Sequence, residues 1–336
     1  MLTYIARRVI ALIPILIGVT MVAFLVSRGL PGDPARLYAG MQASELEVQA
    51  IRASLGLDKP LYYQYWVYMQ GLVQGDLGFS PRTGFPVAED IRNRLPATVE
   101  MVIFALIFAL SVALPLGVWA AVRRGKLIDR FSRFISTLGV AVPDFWAALI
   151  LVMIFFVFLD IAPPPVGRLD LGAVSPDGPT GFYIFDSLVR GQWATFRNAL
   201  AHIILPMVAL GFPAIAPITR LTRNATLSVL QSDYIAFGRA SGLRGAPLYL
   251  KYVLRNSLPG AITMTGLISG YMIGGAVLIE RVFSWPGVGL YAYNSLERTD
   301  HAGIQGVVLL SAITYLLVFL VVDLVQSIVD PRVRLK

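Results

Sequence analysis

The chain lacks cysteine and has only two histidines, and these shortages exclude several kinds of functional site. Without cysteine there is neither a disulfide nor a thiolate ligand for a metal, while the redox compartment stays open. His202 and His301 lie on opposite sides of different apolar spans, whereas the zinc-protease motif needs two histidines four residues apart. We therefore expect no metal site and no cofactor.

Motifs for nucleotide binding and nucleophilic catalysis are missing as well. A phosphate-binding loop ends in Gly-Lys-Ser/Thr, but here Gly125 and Lys126 are followed by Leu127. No serine lies in the Gly-x-Ser-x-Gly context of a serine hydrolase. The sequence thus predicts no catalytic residue, and we expect that the chain is not an enzyme.

Charged residues are scarce, at 14% of the chain, whereas hydrophobic residues make up 56%. A soluble domain usually carries about a quarter charged residues, so this balance is typical of an integral membrane protein. Apolar runs of about 18 residues are long enough to cross the hydrocarbon core as helices. The sequence predicts an all-α membrane protein with six transmembrane helices, at residues 9–26, 101–122, 134–159, 199–219, 258–279 and 304–322.

The basic residues are distributed unevenly among the segments that connect these spans. If the N-terminus is cytoplasmic, the internal segments hold 16 Lys and Arg residues against three acidic residues, and the external segments hold 12 against 15. This is the positive-inside pattern of membrane proteins. Topology, rather than nucleic-acid binding, therefore explains most of the net charge of +8, and both termini are predicted to be cytoplasmic.

The external segment before the second span has helical signals of its own. Ser44 and Glu47 form a capping box, which predicts a helix that ends at Gly56. The aromatic sequence LYYQYWVYMQGL after Pro60 predicts a second helix, lying at the membrane interface. This segment is either a small cap over the helix ends or a docking surface for a soluble partner.

The spans and loops together predict four parts of the chain. The first apolar run is too long for a cleaved signal peptide and is followed by no small-x-small site, so we interpret it as an uncleaved helix. The parts are an N-terminal transmembrane helix (1–28), an extracytoplasmic segment with interfacial helices (29–97), a core of five transmembrane helices (98–328) and a cytoplasmic tail (329–336).

Two features inside the predicted spans have a structural and a functional interpretation each. Asp144 follows Pro143, so it either caps a broken helix or lies on a translocation path, because charged groups are costly inside membranes. Gly266, Gly270 and Gly274 recur every four residues and permit close helix packing. The partner of this stripe is either another helix of the same chain or a second subunit.

The longest predicted cytoplasmic connection, at 220–257, contains the sequence DYIAFGRASGLRG. Ser232 or Asp233 is predicted to cap a helix of about two turns, and Gly242 is predicted to end it. So short a helix needs a partner surface to persist. Tyr234 and Phe237 lie three residues apart and form one apolar face, and the small residues between them permit close approach by another body.

Eight stretches, in order along nearly the whole chain, carry a family resemblance. The chain resembles the first permease subunit of the dipeptide and oligopeptide importers, a branch of the binding-protein-dependent ABC importers. The stretches are LPGDPA (30–35), LGLDKPLYYQY (55–65), GDLGFS (75–80), RLPATVE (94–100), DYIAFGRASGL (233–243), LRNSLPG (254–260), FSWPGVG (283–289) and DPRVR (330–334).

The resemblance implies a type I ABC importer permease fold in a bacterial inner membrane. It also implies four kinds of partner: a second homologous permease subunit, two ABC ATPase subunits, an extracytoplasmic substrate-binding protein and the lipid membrane. In the family a cytoplasmic coupling helix sits in a groove of the ATPase. Carried over by position, that helix comprises Asp233, Tyr234, Ala236, Phe237, Gly238, Arg239, Ala240, Gly242 and Leu243.

The chain departs from the family pattern at one point, and the residues leave a second class of transporter as an alternative interpretation. The superfamily pattern opens with Glu-Ala-Ala, where this chain has Ala236, Phe237 and Gly238. From the residues alone, the alternative is an ion-coupled secondary carrier, because two acidic residues, Asp144 and Asp323, lie within the predicted spans. An inverted repeat, the other mark of such carriers, is not visible.

Overall fold

The structure, a computed structural model, describes residues 2–29, 33–40, 42–245 and 247–329. Residues 30–32 and 330–334 of the quoted stretches, and the predicted tail beyond residue 329, lie outside the described residues. The described helices are α1 (Leu2–Gly29), α2 (Pro34–Ala39), α3 (Glu45–Ser54), α4 (Leu61–Val73), α5 (Val87–Val122), α6 (Leu127–Ala141), α7 (Asp144–Leu151), α8 (Tyr183–Val189), α9 (Trp193–Leu230), α10 (Asp233–Ala240), α11 (Arg255–Val282), α12 (Val288–Glu297) and α13 (His301–Val329).

The remaining regular structure is short. Strands β1 (Phe79–Ser80) and β2 (Phe85–Pro86) pair antiparallel. A π-helical stretch, Val152–Phe158, continues α7, and a second one, Leu248–Leu254, leads into α11. The prediction of an all-α membrane protein is confirmed.

Five of the described helices are long and apolar enough to cross a membrane. Residues 134–159, which the sequence predicts as one span, form two helical segments that meet at an angle of 104° on either side of Pro143. The bend follows from the proline, which cannot donate the backbone hydrogen bond that would continue α6. Counting this bent pair as one span makes six.

Several helices extend beyond the apolar runs from which they were predicted. Helix α5 begins at Val87, and α9 continues to Leu230 through residues that hydropathy assigns to a cytoplasmic loop. Polar pairs support the extra turns, as between Asp90 and Arg94, whose charged groups lie 3.2 Å apart one turn along α5. Hydropathy marks where a helix is apolar, whereas the backbone hydrogen bonds that form it continue past that point.

The described chain divides into two compact units, and the N-terminal unit comprises Met1–Ala97 and Pro286–Thr314. Its core cluster joins the start of α5 to α12 and α13 and consists of Val87, Ile91, Val288, Tyr291 and Val307. The capping box of α3 is confirmed, because Ser44 N donates to Glu47 Oε2 at 2.7 Å and Glu47 N donates back to Ser44 Oγ.

The second unit, the core unit, comprises Thr98–Trp285 and Tyr315–Lys336. Helices α6, α7, α8 and α11 all contact α9. Close approach to α9 depends on residues without side chains: a Cβ added to Gly117 would lie 2.8 Å from Thr222 Cβ, and one added to Gly139 would lie 3.1 Å from Ala216 Cβ. The core unit is therefore a set of helices built around α9.

The glycine stripe of α11 is used mainly within the chain. A Cβ on Gly266 would lie 2.5 Å from a methyl carbon of Val322, and a Cβ on Gly270 would collide with the ring of Tyr315, both on α13. Gly274 has no atom within 4 Å of such a Cβ. Of the two interpretations, intramolecular packing applies to Gly266 and Gly270.

This difference between the glycines gives a matched pair of substitutions. Gly266→Ala forces a methyl group against the stiff, branched Val322 and is expected to lower the free energy of unfolding by about 1–3 kcal/mol. Gly274→Ala meets open space and removes a poor helix former, so it is expected to leave stability unchanged or raise it by less than about 1 kcal/mol. Thermal unfolding of the two variants in detergent checks this, and equal effects would contradict the assigned packing.

Candidate functional site

Helix α10 lies in the connection between the two long helices α9 and α11 and follows the sequence prediction closely. Ser232 is its N-cap residue with extended backbone, although its hydroxyl donates to Val229 O at 2.6 Å instead of accepting from the helix. Gly242 follows the last turn with φ +87°, a left-handed conformation that glycine adopts without strain. The predicted helix and its glycine stop are confirmed.

One face of α10 is held by the chain itself. Ile235 is 1% exposed and forms a small core cluster with Leu248 and Val253 from the π-helical stretch before α11. Gly238 is also buried, and a Cβ there would lie 3.5 Å from a methyl carbon of Leu243. The tertiary support that so short a helix needs therefore comes in part from its own chain.

The opposite face of α10 is apolar and exposed. Phe237 is 74% exposed and Tyr234 is 47% exposed, although both lie on a helix with a packed inner face. The remaining exposed residues of the predicted contact are Asp233, Ala236, Arg239, Ala240 and Gly242. The nine predicted contact residues thus fall into two groups, because Gly238 and Leu243 lie on the inner side, against the chain's own cluster.

The structure also places Asp144, the predicted path or cap residue. It is the first residue of α7, where free backbone amides favour a carboxylate. Its Oδ2 atom lies 3.0 Å from the position that a Cβ on Gly275 would occupy. The missing side chain of Gly275 therefore leaves room for this carboxylate beside α11.

Sequence reasoning missed a buried ion pair that ties the loop after α7 to α5. Glu100, 3% exposed on α5, accepts a hydrogen bond from Arg168 Nη2 and another from Ile184 N at 2.8 Å. The guanidinium of Arg168 also lies 3.5 Å from the ring centroid of Tyr183. Burial lowers the pKa of Arg168 from its ordinary value, and the nearby Glu100 carboxylate opposes that shift.

A second missed pair connects α6 to α9 near the predicted coupling segment. Arg223 Nε donates to Asp129 Oδ1 at 2.7 Å, and Asp129 Oδ2 accepts from Gly125 N at 2.9 Å. Asp129 is 1% exposed although it lies among the basic residues that mark the loop as cytoplasmic. Neither ion pair has a local sequence signal, because its partners lie far apart along the chain.

A group suitable for metal binding is not found among the described residues, where no three His, Asp or Glu side chains come together. The arrangement consists of packed membrane helices, buried structural ion pairs and one exposed short helix between α9 and α11. Such an arrangement is that of a membrane protein with several spanning helices.

A solved structure shares this fold. The chain is similar to a solved structure described as inward-facing conformations of the MetNI methionine ABC transporter, with a TM-score of 0.50 and 19% identity, over 70% of this chain and 93% of that one. The protein has the helical fold of a type I ABC importer permease, as the sequence predicts.

Sequence comparison then gives the family. Residues 113–335 match the binding-protein-dependent transport system inner membrane component, and residues 1–102 match the N-terminal part of such membrane components. This chain belongs to that family. It is therefore a permease subunit of a binding-protein-dependent transport system and a multi-pass protein of the bacterial inner membrane.

Relatives with known names cover almost the whole chain. One is the probable D,D-dipeptide transport system permease protein DdpB of Escherichia coli K12, 42% identical over 97% of this chain and 96% of its own length. Another is the dipeptide transport system permease protein DppB of Alkalihalophilus pseudofirmus, 39% identical over 99% and 100%. A third is the glutathione transport system permease protein GsiC of Escherichia coli O6:H1, 36% identical over the full length of both chains.

Replacing only one partner of the Glu100–Arg168 pair is expected to destabilise the protein strongly. Arg168→Met leaves the Glu100 carboxylate buried without its counter-charge, so the free energy of unfolding should fall by about 3 kcal/mol or more. The double variant Glu100→Gln with Arg168→Met removes both charges and should recover most of that loss. Thermal unfolding in detergent measures the difference.

An exposed ion pair supplies the control for this prediction. Arg36 pairs with Glu45, and their side chains are 49% and 73% exposed, so Arg36→Met is expected to change stability by less than about 1 kcal/mol. Equal losses for Arg168→Met and Arg36→Met would contradict the importance of burial at the first pair.

Proposed function

We propose that this subunit takes up dipeptides, oligopeptides or similar small solutes as half of the translocation path of an ATP-driven importer. The three relatives described above are named for D,D-dipeptide, dipeptide and glutathione transport, and all three solutes are peptide-like. In this proposal the complete importer contains a second homologous permease, two ABC ATPases and an extracytoplasmic substrate-binding protein. ATP hydrolysis belongs to the ATPase subunits.

The observation that carries the coupling role is the exposed aromatic face of α10. An apolar face on a helix whose inner side is already packed suits burial against another protein. We assign Phe237 and Tyr234 as the central contacts with an ATPase, with Asp233, Ala236, Arg239, Ala240 and Gly242 around them. Gly238 and Leu243 act from the inner side, by fixing the helix in place.

The connections of α10 support a mechanical role. Only Gln231 and Ser232 separate it from α9, and its inner residue Ile235 packs on the stretch that continues into α11. A displacement of α10 by an ATPase would therefore reach both long helices. In an alternating-access cycle such movements turn the path from one side of the membrane to the other. Asp144, beside α11, remains a proposed path residue.

The coupling proposal predicts different effects for the same substitution at two exposed phenylalanines. Phe237→Ala removes an exposed ring and is expected to reduce copurification of the ATPase subunits by about tenfold, the usual scale for an aromatic interface anchor. Phe185→Ala removes a ring that is 52% exposed on α8, outside the proposed contact, and should leave copurification unchanged. Unfolding temperatures of both variants should match that of the parent, and ATPase retention by the Phe237 variant would rule out this contact.

The transport proposal is tested with the purified importer in liposomes. Uptake of a labelled dipeptide should need ATP on the side of the membrane that carries the ATPases. It should continue when all ion gradients are collapsed. The binding protein should be required on the opposite side. Uptake by this chain alone, driven by an ion gradient without ATP, would instead identify a secondary carrier.

A further inference from the structure

Two neighbouring cavities lie in the N-terminal unit, next to the end of α1. One has a volume of about 230 Å³, the other about 350 Å³, and both are lined by Arg28 and Gln64. His301 lines the smaller cavity, and Tyr68 lines the larger. These four side chains come from α1, α4 and α13, and residues of α2 and α3 complete the lining.

Each of the four side chains has a buried polar atom without a hydrogen-bond partner among the described residues. These atoms are Arg28 Nε, Gln64 Oε1, Tyr68 Oη and His301 Nε2. Buried polar atoms normally have a partner, because leaving one unpaired costs about 1–3 kcal/mol. Four such atoms around one pair of cavities indicate that a polar ligand belongs there.

The bonds that these side chains do make determine what the free atoms can offer. His301 Nδ1 lies 2.6 Å from the carbonyl oxygen of Ser27, so Nδ1 carries a proton, and Nε2 of the neutral imidazole is then an acceptor. The Gln64 amide donates to Lys59 O at 2.7 Å, which leaves Oε1 as an acceptor. Burial raises the pKa of Tyr68 to about 12, so its hydroxyl stays protonated and can donate.

The charges around the cavities favour an anion beside Arg28. Asp33, in the smaller cavity, is already paired with Arg52 at 2.6 Å. Arg28 makes no ion pair with any described residue, and its guanidinium lies 5.3 Å from the ring centroid of Phe24. Lys59, in the larger cavity, is paired with Asp58 at 3.2 Å. The four groups with a free polar atom therefore combine a cationic donor and a hydroxyl donor with two acceptors, which suits a group carrying both an anion and a donor cation.

The packing of α4 on α1 indicates that the cavities lie near the membrane surface. The hydroxyl of Tyr65 lies 2.9 Å from Thr20 Oγ1, and the ring of Tyr65 lies 5.5 Å from that of Phe24. Thr20 and Phe24 lie inside the apolar span Ile10–Gly29, so α4 lies beside a membrane-crossing segment. Its outer face carries Trp66, 62% exposed, an aromatic side chain that prefers the level of lipid headgroups.

We propose that these cavities hold the headgroup of a membrane phospholipid, with its phosphate on Arg28 and Tyr68 and its ethanolamine ammonium on Gln64 and His301. The phosphate accepts from the two donors, and the ammonium donates to the two acceptors. The lipid would brace α1 against α4 and α13 at the membrane surface. The proposal does not depend on the transported solute or on the ATPase contact.

The test uses the full-length chain, with the subunits that copurify, in nanodiscs made from an equal mixture of phosphatidylethanolamine and phosphatidylcholine. After stepwise delipidation in detergent, native mass spectrometry identifies the lipids retained. Phosphatidylcholine carries the same phosphate, but its headgroup has no hydrogen-bond donor for the acceptors. We expect the parent to retain phosphatidylethanolamine selectively.

Two variants and one control separate this site from the general lipid shell. Arg28→Gln removes the cationic donor, and Tyr68→Phe removes a hydroxyl while keeping the ring that packs on Phe24; each should lower selective retention, Arg28→Gln by about tenfold. Arg36→Gln changes an exposed arginine of the same unit and should retain the lipid as the parent does.

Three results would overturn the proposal. One is equal retention of the two phospholipids by the parent. Another is unchanged retention in the Arg28→Gln variant, provided that its unfolding temperature matches that of the Arg36→Gln control. The third is release of the lipid by inorganic phosphate alone, because that would identify a soluble anion, rather than a lipid headgroup, as the ligand of Arg28.

Discussion

Close approach of helices to α9 is the constraint on which the core unit depends. Inside a bilayer the lipid chains are as apolar as leucine, so helices associate through tight packing rather than through a gain in hydrophobic burial. Gly117 and Gly139 provide that packing from α5 and α6, and Gly211 of α9 approaches the Ala105 carbonyl of α5. Because the backbones are so close, a movement of α9 must be accommodated by its neighbours. This is why α10, two residues beyond α9, is well connected for the proposed coupling role.

One buried ion pair joins a loop to α5, and another joins α6 to α9. The Glu100–Arg168 pair holds the loop after α7 on α5, and the Asp129–Arg223 pair holds the start of α6 on the last third of α9. Each carboxylate also accepts a backbone N–H, so both of its oxygens accept a hydrogen bond. The second pair lies on the part of α9 that leads to α10. Both pairs thus hold together segments that lie far apart along the chain.

Much of the fold was predictable because its signals are local. The apolar runs gave the membrane helices, the capping box of Ser44 and Glu47 gave α3, and Gly242 gave the end of α10. The boundaries were less accurate: α5 and α9 extend well past the apolar residues, since helical hydrogen bonding does not require them to be apolar. The bend at Pro143 was implied by the proline, but its angle depends on how α6 and α7 both pack on α9.

In the candidate site, too, some features were predictable from the sequence and others were not. By itself the sequence determined a membrane protein with a short helix between two long ones, because periodicity, caps and hydropathy depend on neighbouring residues. Only the tertiary structure decided that Gly238 faces inward while Phe237 faces outward. It also decided that Gly266 packs on Val322, whereas a Cβ on Gly274 would meet no atom within 4 Å. It alone joined Glu100 to Arg168, and Arg28 to His301 around one cavity. These relations link residues far apart along the chain, and only packing in three dimensions brings such residues into contact.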